Sequence, residues 1–284
     1  MDPQLIFNGM AIGSVLALAA IGLTFTYGIL KLSNFAHGDF MTLGAYLTWV
    51  ANINGANIWI AILLGAVGTI AAMLIAEFLL WKPMRERRAD STTLIIISIG
   101  LALFIRSGIL LIWGSSNQAY ALPVVQAVEI AGVRVPYYRI VVIVLAILAI
   151  AALHFLLQNS KIGKAMRAVA DNIDLARVSG INVERVVLWT WVITGLLTAI
   201  SGGMYGLITT VRPNMGWFLI LPMFASVILG GIGNPYGAVA GALTIGIAQE
   251  ISVPFLGSQY KLGVALFLML LILLIRPQGL FNRT

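Results

Sequence analysis

The sequence contains no cysteine and few charged residues. The absence of Cys from its 284 residues excludes disulfides, thiolate metal sites and cysteine nucleophiles. Only 10% of the residues are charged, against roughly a quarter in soluble domains, whereas 60% are hydrophobic. This balance is typical of integral membrane proteins. In that class a net charge of +7 indicates basic cytoplasmic loops, so we expect no nucleic-acid partner.

The sequence also lacks the short motifs of catalysis and nucleotide binding. There is no GxxxxGK[ST] loop, because the Gly163-Lys164 pair has no glycine at the required earlier position. HExxH, GxSxG and paired intramembrane carboxylates are missing as well. We therefore predict that the chain is not an enzyme and has no catalytic residue and no metal site. A proton- or sodium-driven carrier usually shows acids within its spans, so transport powered by another subunit fits better.

Long apolar segments predict an all-helical polytopic membrane protein. A span needs about 20 mostly apolar residues, and residues 5–30 lack the basic n-region and cleavage site of a secretory signal. We expect one transmembrane domain over residues 1–284, with about eight or nine spans, some of them interrupted or re-entrant. The strong candidates are 5–30, 58–81, 92–113, 138–157, 186–209 and 259–276, and the weaker ones are 38–53, 217–231 and 235–253.

Lys and Arg in the loops predict the orientation of the spans. The segments 82–90 and 159–185 are basic, and the tail adds Arg276 and Arg283. Residues 114–137 are polar and nearly charge-balanced. The basic segments are therefore expected on the cytoplasmic side, with residues 114–137 and 210–216 outside. The N-terminus is then outside and the C-terminus cytoplasmic.

The segment 159–185 is the longest stretch suited to water. It predicts two short helices, about Gly163–Val169 and Ile173–Ser179, each with apolar residues at helical spacing. A flexible connector would be shorter and richer in Gly and Ser. The pattern indicates an ordered docking surface, and the alternative is a solvated loop between two spans.

Two polar segments interrupt the apolar pattern in a related way. They are Ser33–Ala45, with the run NFAHGDF, and Gly230–Ala242, with the run GGIGNPYGAVAGA. Irregular backbone at membrane depth is tolerated where protein or a water-filled cavity covers it. Paired interruptions in the two halves of a chain indicate a translocation path. The alternative is that both are ordinary turns.

Four ionisable residues lie in or near the apolar segments. Glu77 and His154 are within a turn of polar residues and are expected to reach the membrane interface. Arg106 lies deeper, so it either extends outward or faces the bundle. Glu250 falls near the outer end of its span, where we expect a position at the rim.

Four stretches resemble the permeases of branched-chain amino acid ABC importers. They are residues 21–46, 163–183, 225–246 and 274–281, in the order that the family has. The resemblance implies the ABC importer permease fold and alternating access. The substrate class that it implies is neutral, above all branched-chain, amino acids. Urea or short amides for a permease of the same type, and a self-powered secondary carrier, remain as alternatives.

The same resemblance implies partners and a location. It implies a second related permease subunit, two cytoplasmic ATPase subunits and a periplasmic solute-binding protein, in the bacterial inner membrane. This chain would bind no cofactor, because ATP-Mg belongs to the ATPase subunits. Most substrate selectivity would rest with the binding protein.

The resemblance also implies roles for individual residues. The segment Arg167–Ile181 would fill a groove on an ATPase, with Gly180 at the turn after the second short helix, and the two polar interruptions would lie near the path or its gate. The expected coupling residues are Arg167, Ala170, Asp171, Asp174, Ala176, Arg177, Gly180 and Ile181. The expected path residues are Asn34, His37, Gly38, Asp39, Gly230, Gly231, Gly233, Asn234 and Gly237.

Overall fold

The computed structural model describes residues 3–123, 125–130 and 133–281. They form a helical bundle with one small hairpin. The α-helices are α1 Pro3–Leu30, α2 His37–Ile53, α3 Ile58–Ala76, α4 Lys82–Glu86, α5 Ser91–Trp113, α6 Tyr137–Asn159, α7 Lys161–Asp171, α8 Ile173–Val178, α9 Val183–Ile208, α10 Met215–Gly230, α11 Pro235–Ile251, α12 Val253–Leu256 and α13 Lys261–Ile275. A π-helical turn, Glu77–Trp81, joins α3 to α4, and a 3-10 turn, Ser258–Tyr260, precedes α13. The strands β1 Val128–Ile130 and β2 Val133–Val135 pair antiparallel.

The helices match the predicted spans in order. Among the described residues, seven helical segments are long and apolar enough to cross a membrane. Two of the three weak segments are shorter helices, with 17 residues in α2 and 16 in α10. The third lies in α11, within the long segment Pro235–Leu256. The prediction of eight or nine spans with interruptions is confirmed.

The central helix is α1, which is buried along most of its length against α9 and α11. Glycines allow this close packing. A Cβ atom added to Gly9 would lie 2.6 Å from the Cα of Ile247, and one added to Gly13 would lie 2.9 Å from the Cα of Leu243. The backbones of α1 and α11 therefore touch along an antiparallel contact that only glycine fits.

The first polar interruption lies inside the bundle. After α1 ends at Leu30 the chain turns back, and a ring nitrogen of His37 lies 2.9 Å from the carbonyl oxygen of Ala19. Ala19 is eleven residues before Leu30, which corresponds to about 16 Å along a helix. Residues 31–36 thus return beside α1, and α2 begins near its middle. The Ser98 hydroxyl of α5 accepts from the Phe35 amide at 3.1 Å, so protein covers this irregular backbone, as predicted.

The predicted basic segments meet at one end of the bundle, which we call the basic end. Lys31, the segment 85–91 and residues of α7, α8 and α9 line a common cavity of about 710 Å³ there. Asp90 caps α5 at this end, and hydrogen bonds from the Thr93 hydroxyl and amide hold the pKa of Asp90 below its ordinary value. The same-side arrangement of these segments is confirmed.

The described residues of the segment 114–137 lie at the opposite end. Its hairpin β1–β2 was not predicted from the sequence. Tyr120 is buried, and its hydroxyl donates to the carbonyl of Ala45 at 3.3 Å. Gln118 pairs with Val211 from the α9–α10 loop. These contacts fix the segment against α2 and the end of α9.

Candidate functional site

The polar segment between α6 and α9 is fully ordered as two amphipathic helices. The side chain of Ser160 caps α7 by accepting from the Gly163 amide at 2.9 Å. Gly163, Met166 and Val169 recur at helical spacing and are buried. Lys161, Lys164 and Asp171 are exposed. The predicted first helix is therefore present, two residues longer at each end than expected, with one face on the bundle.

The second helix, α8, is held by caps at both ends. The Asn172 side chain accepts from the amides of Asp174 and Leu175 at 3.0 and 2.9 Å. At the other end the Ile181 amide donates to Ala176 and the Gly180 amide to Arg177. Gly180 has φ +84°, the left-handed conformation that this Schellman turn requires. The predicted position of Gly180 at this turn is confirmed.

The exposed face of α8 carries apolar residues that were not among the expected coupling residues. Ala176 is only 4% exposed and packs against the bundle, so it supports the helix and offers no surface. Leu175 and Val178 are 63% and 81% exposed. Sequence reasoning missed both, since neither is among the expected coupling residues. Asp174 and Arg177 are exposed beside them and lie 4.0 Å apart.

Arg167 links α7 to α6. Its guanidinium donates to the carbonyl of Leu157 and, at 3.4 Å, to the side chain of Gln158. Leu157 lies in the last turn of α6, where carbonyls lack helical partners. Arg167 therefore fastens the two helices together, although its side chain is exposed.

The second polar interruption forms the turn between α10 and α11 at the basic end. Gly231 and Gly233 have φ values of +104° and +89°, which glycine adopts without strain. Asn234 caps α11 by accepting from the amide of Gly237 at 3.2 Å. Gly230 packs directly on Gly237, and any side chain at either position would overlap the other backbone.

A cavity of about 330 Å³ joins this turn to α7. One wall carries Arg167, Ala170 and Asp171, and another carries Gly233 and Asn234. The end of α1 completes the lining. The structure thus brings the second interruption together with the coupling segment, a contact that the sequence did not predict. Ile181, which follows Gly180, is half-buried before α9 begins.

The first interruption is not part of that cluster. His37 is fully buried between the carbonyl of Ala19 and the hydroxyl of Thr198, 3.2 Å away. Asn34 is buried, and its side chain accepts from the Ala36 amide at 3.1 Å. Gly38 packs on the carbonyl of Gly216.

The two interruptions contact opposite ends of α10. Gly216 at its start packs on Gly38, whereas Gly230 at its end packs on Gly237. Gly230 follows Gly216 by fourteen positions, which corresponds to about 21 Å of helix. The predicted path residues therefore form two separate clusters joined by α10, not one site.

An ion pair lies next to the first interruption. The Nε and Nη2 atoms of Arg106 donate to the two carboxylate oxygens of Asp39 at 3.0 and 2.9 Å. Asp39 is 1% exposed, and the Arg106 guanidinium lies 4.7 Å from the ring centre of Trp217. Arg106 therefore faces the bundle, which decides between the two placements that the sequence left open.

Glu77 is buried, so its expected position at the membrane interface was wrong. It is 1% exposed and accepts from the guanidinium of Arg85 and from the indole Nε1 of Trp191, at 2.7 Å. Trp81 stacks on Trp191. Arg85 follows Glu77 by eight residues across the π-helical turn, so this cluster fastens the end of α3 to α9.

The other two ionisable residues are also paired. His154 of α6 is exposed and forms a hydrogen bond of 2.8 Å with the hydroxyl of Tyr236 in α11. Glu250, expected at the rim, lies in the last turn of α11 but is buried beneath the ammonium of Lys261. Both contacts connect outer helices of the bundle.

Comparison with known proteins gives relatives along nearly the whole chain. High-affinity branched-chain amino acid transport system permease protein LivH of Escherichia coli (strain K12) is 33% identical over 295 residues, covering 99% of this chain and 95% of that protein. The corresponding protein BraD of Pseudomonas aeruginosa is 30% identical with the same coverages. A solved chain of PsaBC from Streptococcus pneumoniae, in complex with Fab, shares the fold.

That structural match has a TM-score of 0.53 and 13% sequence identity, and it covers 97% of this chain and 92% of the other. The family described as "Branched-chain amino acid transport system / permease component" matches residues 5–275. The resemblance that four separate stretches of sequence indicated therefore extends over the entire helical bundle. This chain belongs to the family of permease components of branched-chain amino acid transport systems.

Proposed function

We propose that this chain is the membrane-spanning permease subunit of an ATP-binding-cassette importer for branched-chain and other neutral amino acids. One observation carries the proposal: a chain that matches this permease family over residues 5–275 also presents an ordered amphipathic element, α7–α8, at its basic end. In this proposal the chain is not an enzyme. ATP-Mg binds to partner ATPase subunits, and the energy enters through α7–α8.

The basic end faces the cytoplasm in this proposal. The excess of Lys and Arg there supports the assignment, which places the chain in the bacterial inner membrane with its N-terminus in the periplasm. The partners are a second related permease subunit, two cytoplasmic ATPase subunits and a periplasmic solute-binding protein. The binding protein delivers substrate to the end that carries the hairpin β1–β2.

The coupling surface is the exposed face of α8. Leu175 and Val178 supply apolar contact, and Asp174 and Arg177 supply charges on either side. This composition suits a groove on another protein, with an apolar centre and a polar rim. Of the residues expected to couple, Asp174 and Arg177 lie on this face, and Arg167 holds α7 to α6.

Motion of α7–α8 reaches the spans through fixed connections. Arg167 fastens α7 to the end of α6, and α9 begins at Val183, only two residues after Ile181. α9 is in turn fastened to the end of α3 through Trp191 and Glu77. ATP binding that displaces α8 would therefore tilt α6 and α9 together, which is the alternating-access step that this proposal assigns to the chain.

A neutral substrate fits the charges within the bundle. Asp39 and Arg106 neutralise each other, as do Glu250 and Lys261 and Glu77 and Arg85. A path among such pairs carries no net charge, which favours a zwitterion with an apolar side chain over a strongly charged solute. Asn34, His37, Gly38 and Asp39 remain the proposed path residues of the first cluster.

Val178→Asp tests the coupling surface. A carboxylate in the apolar centre of a docking interface should weaken ATPase binding about tenfold or more, and leucine uptake into vesicles that contain all the partners should fall accordingly. Val125→Asp is the matched control for co-purification of the ATPase, because it makes the same change at an exposed valine of the opposite end. Co-purification of the ATPase and ATP-dependent uptake are the two measurements.

Three results would contradict the proposal. The first is full uptake and ATPase association in Val178→Asp. The second is leucine transport by the chain alone along an ion gradient, which would indicate a secondary carrier. The third is faster uptake of urea or a short amide than of leucine, which would keep the permease role but change the substrate.

A further inference from the structure

The residues after α13 fold back onto the α10–α11 turn. We call residues 276–281 the C-terminal strap. The amides of Leu280 and Phe281 donate to the carbonyls of Leu229 and Gly230 at 2.9 and 3.2 Å. These carbonyls belong to the last turn of α10, where helical partners are lacking. The Asn234 side chain closes the arrangement by donating to the carbonyl of Phe281 at 3.1 Å.

Gly279 makes this contact possible. It has φ +83° and lies against the backbone of Gly231. An added Cβ atom would overlap that backbone and lie 2.8 Å from the carbonyl oxygen of Ile228. A side chain at position 279 would therefore be strained and would push the strap off the turn. The strap is therefore an ordered element, and main-chain hydrogen bonds attach it to α10.

Because main-chain atoms form the hydrogen bonds to α10, the large side chains of the strap remain exposed. Phe281 is 51% exposed and Leu280 is also exposed. Ile232 of the adjoining turn is also exposed. This apolar patch lies at the basic end of the bundle, which also carries Lys164 and Arg167, and not at the apolar middle of the spans. An exposed apolar patch in such a position is typical of a surface that binds another protein.

We propose that the strap and the α10–α11 turn form a second contact surface for the ATPase subunit that receives α8. This inference rests on the proposed function. The supporting observation is continuity: the cavity of about 330 Å³ has Arg167 and Asp171 of α7 on one wall and Gly233 and Asn234 of the turn on another. A partner that covers α7–α8 thus meets, across that cavity, the α10–α11 turn on which the strap lies.

A second contact gives the ATPase access to a different helix. α8 acts on α6 and α9, whereas the strap and turn hold the end of α10. The far end of α10 packs on Gly38, beside the Asp39–Arg106 pair. The strap thus connects the ATPase to the first interruption, about 21 Å away along α10, by a route that does not pass through α7–α8.

Protection of single cysteines from a water-soluble maleimide tests the proposal. The chain has no native cysteine, so Phe281→Cys and Val178→Cys each give one signal. Both should react with the purified permease in detergent and in vesicles that expose the basic end. We expect addition of the ATPase subunits to slow the labelling of both positions about tenfold. Ser115→Cys, at the opposite end of the bundle, reports non-specific shielding of the detergent-solubilised protein.

The outcomes separate this inference from the proposed function. Protection of the Val178→Cys variant without protection of the Phe281→Cys variant overturns the second contact and leaves the proposed function intact. Protection of neither variant contradicts both. Labelling of the Phe281→Cys variant in detergent but not in ATPase-free vesicles shows that lipid covers the strap, which also overturns the inference.

A second variant tests the strap without changing its exposed side chains. Gly279→Ala should displace the strap and lower co-purified ATPase about fivefold to tenfold. Gly263→Ala is the matched control, because a Cβ atom there meets nothing within 4 Å. Equal ATPase recovery with the two variants, both monodisperse, would contradict the proposal.

Discussion

The buried pair of Asp39 and Arg106 is a residue-scale feature with a large energetic consequence. Two hydrogen bonds join the carboxylate and the guanidinium, and Trp217 covers the guanidinium from α10. α5, which carries Arg106, is mostly exposed on its other faces. Because an unpaired charge at this depth is costly, the pair fixes α5 to α2.

A double-mutant cycle on Asp39 and Arg106 tests how much the ion pair contributes to the stability of the protein. Arg106→Gln leaves Asp39 buried without a cation and should destabilise the detergent-solubilised protein by about 3 kcal/mol. Asp39→Asn combined with Arg106→Gln should recover most of that loss, since no charge is then stranded. The measurement is thermal unfolding followed by size-exclusion chromatography. Arg87→Gln, at an exposed arginine, is the control, and a single variant as stable as this control would contradict the expectation.

The sequence shows which ionisable residues lie at membrane depth, but it does not show which residues they pair with. Arg106 was recognised as lying at membrane depth, but Asp39 is 67 positions away and meets it only because α2 begins deep in the bundle. Glu77 was expected at the interface because polar residues follow it closely. The π-helical turn and Trp191 bury it instead, and neither is visible in local hydropathy.

The packing of α1 on α11 is the main element-scale contact. Gly9 and Gly13 face Ile247 and Leu243 with backbone atoms nearly touching. In lipid, helices associate through such close van der Waals contact rather than through hydrophobic burial. A single added carbon atom should therefore separate the two helices along this contact.

Gly13→Ala should destabilise the bundle by about 1–3 kcal/mol, because the new methyl group meets the backbone of α11 and neither helix can yield locally. Gly100→Ala in α5 is the matched control, since a Cβ atom there meets nothing within 4 Å. That control should be neutral or slightly stabilising, because alanine is the better helix former. Thermal unfolding in detergent measures both. Equal effects of the two variants would show that the α1–α11 contact yields to a methyl group.

The order of the helices along the chain could be predicted from the sequence, whereas the depth within the bundle at which each helix begins could not. Apolar length identifies α1, α5, α6 and α9 directly. The start of α2 beside the middle of α1 depends on contacts of His37 and Phe35 with distant helices. Leu175 and Val178 on the exposed face of α8 were missed for a related reason: a partner chain can take up apolar side chains such as Val178, and periodicity within one chain does not distinguish that case from burial.

At the scale of the whole molecule, polar and charged segments separate to the two ends of the bundle. Lys31, the 82–90 loop, α7–α8 and the C-terminal strap gather at the basic end. The α2–α3 turn and residues 121–123 and 125 meet the start of α6 at the other. This separation follows from the number and order of crossings. Loop composition alone correctly predicted which segments share an end, because each confirmed span reverses the direction of the chain.

Which end faces the cytoplasm can be measured with single cysteines in this cysteine-free chain. We expect Ser115→Cys to react with a membrane-impermeant maleimide in intact cells, and Lys164→Cys to react only after permeabilisation, because the excess of Lys and Arg lies at the end that carries α7. The unmodified chain, which should not label, is the control. Labelling of the Lys164→Cys variant in intact cells would place α7–α8 outside, where there is no ATP, and would contradict both the orientation and the proposed docking of an ATPase on α8.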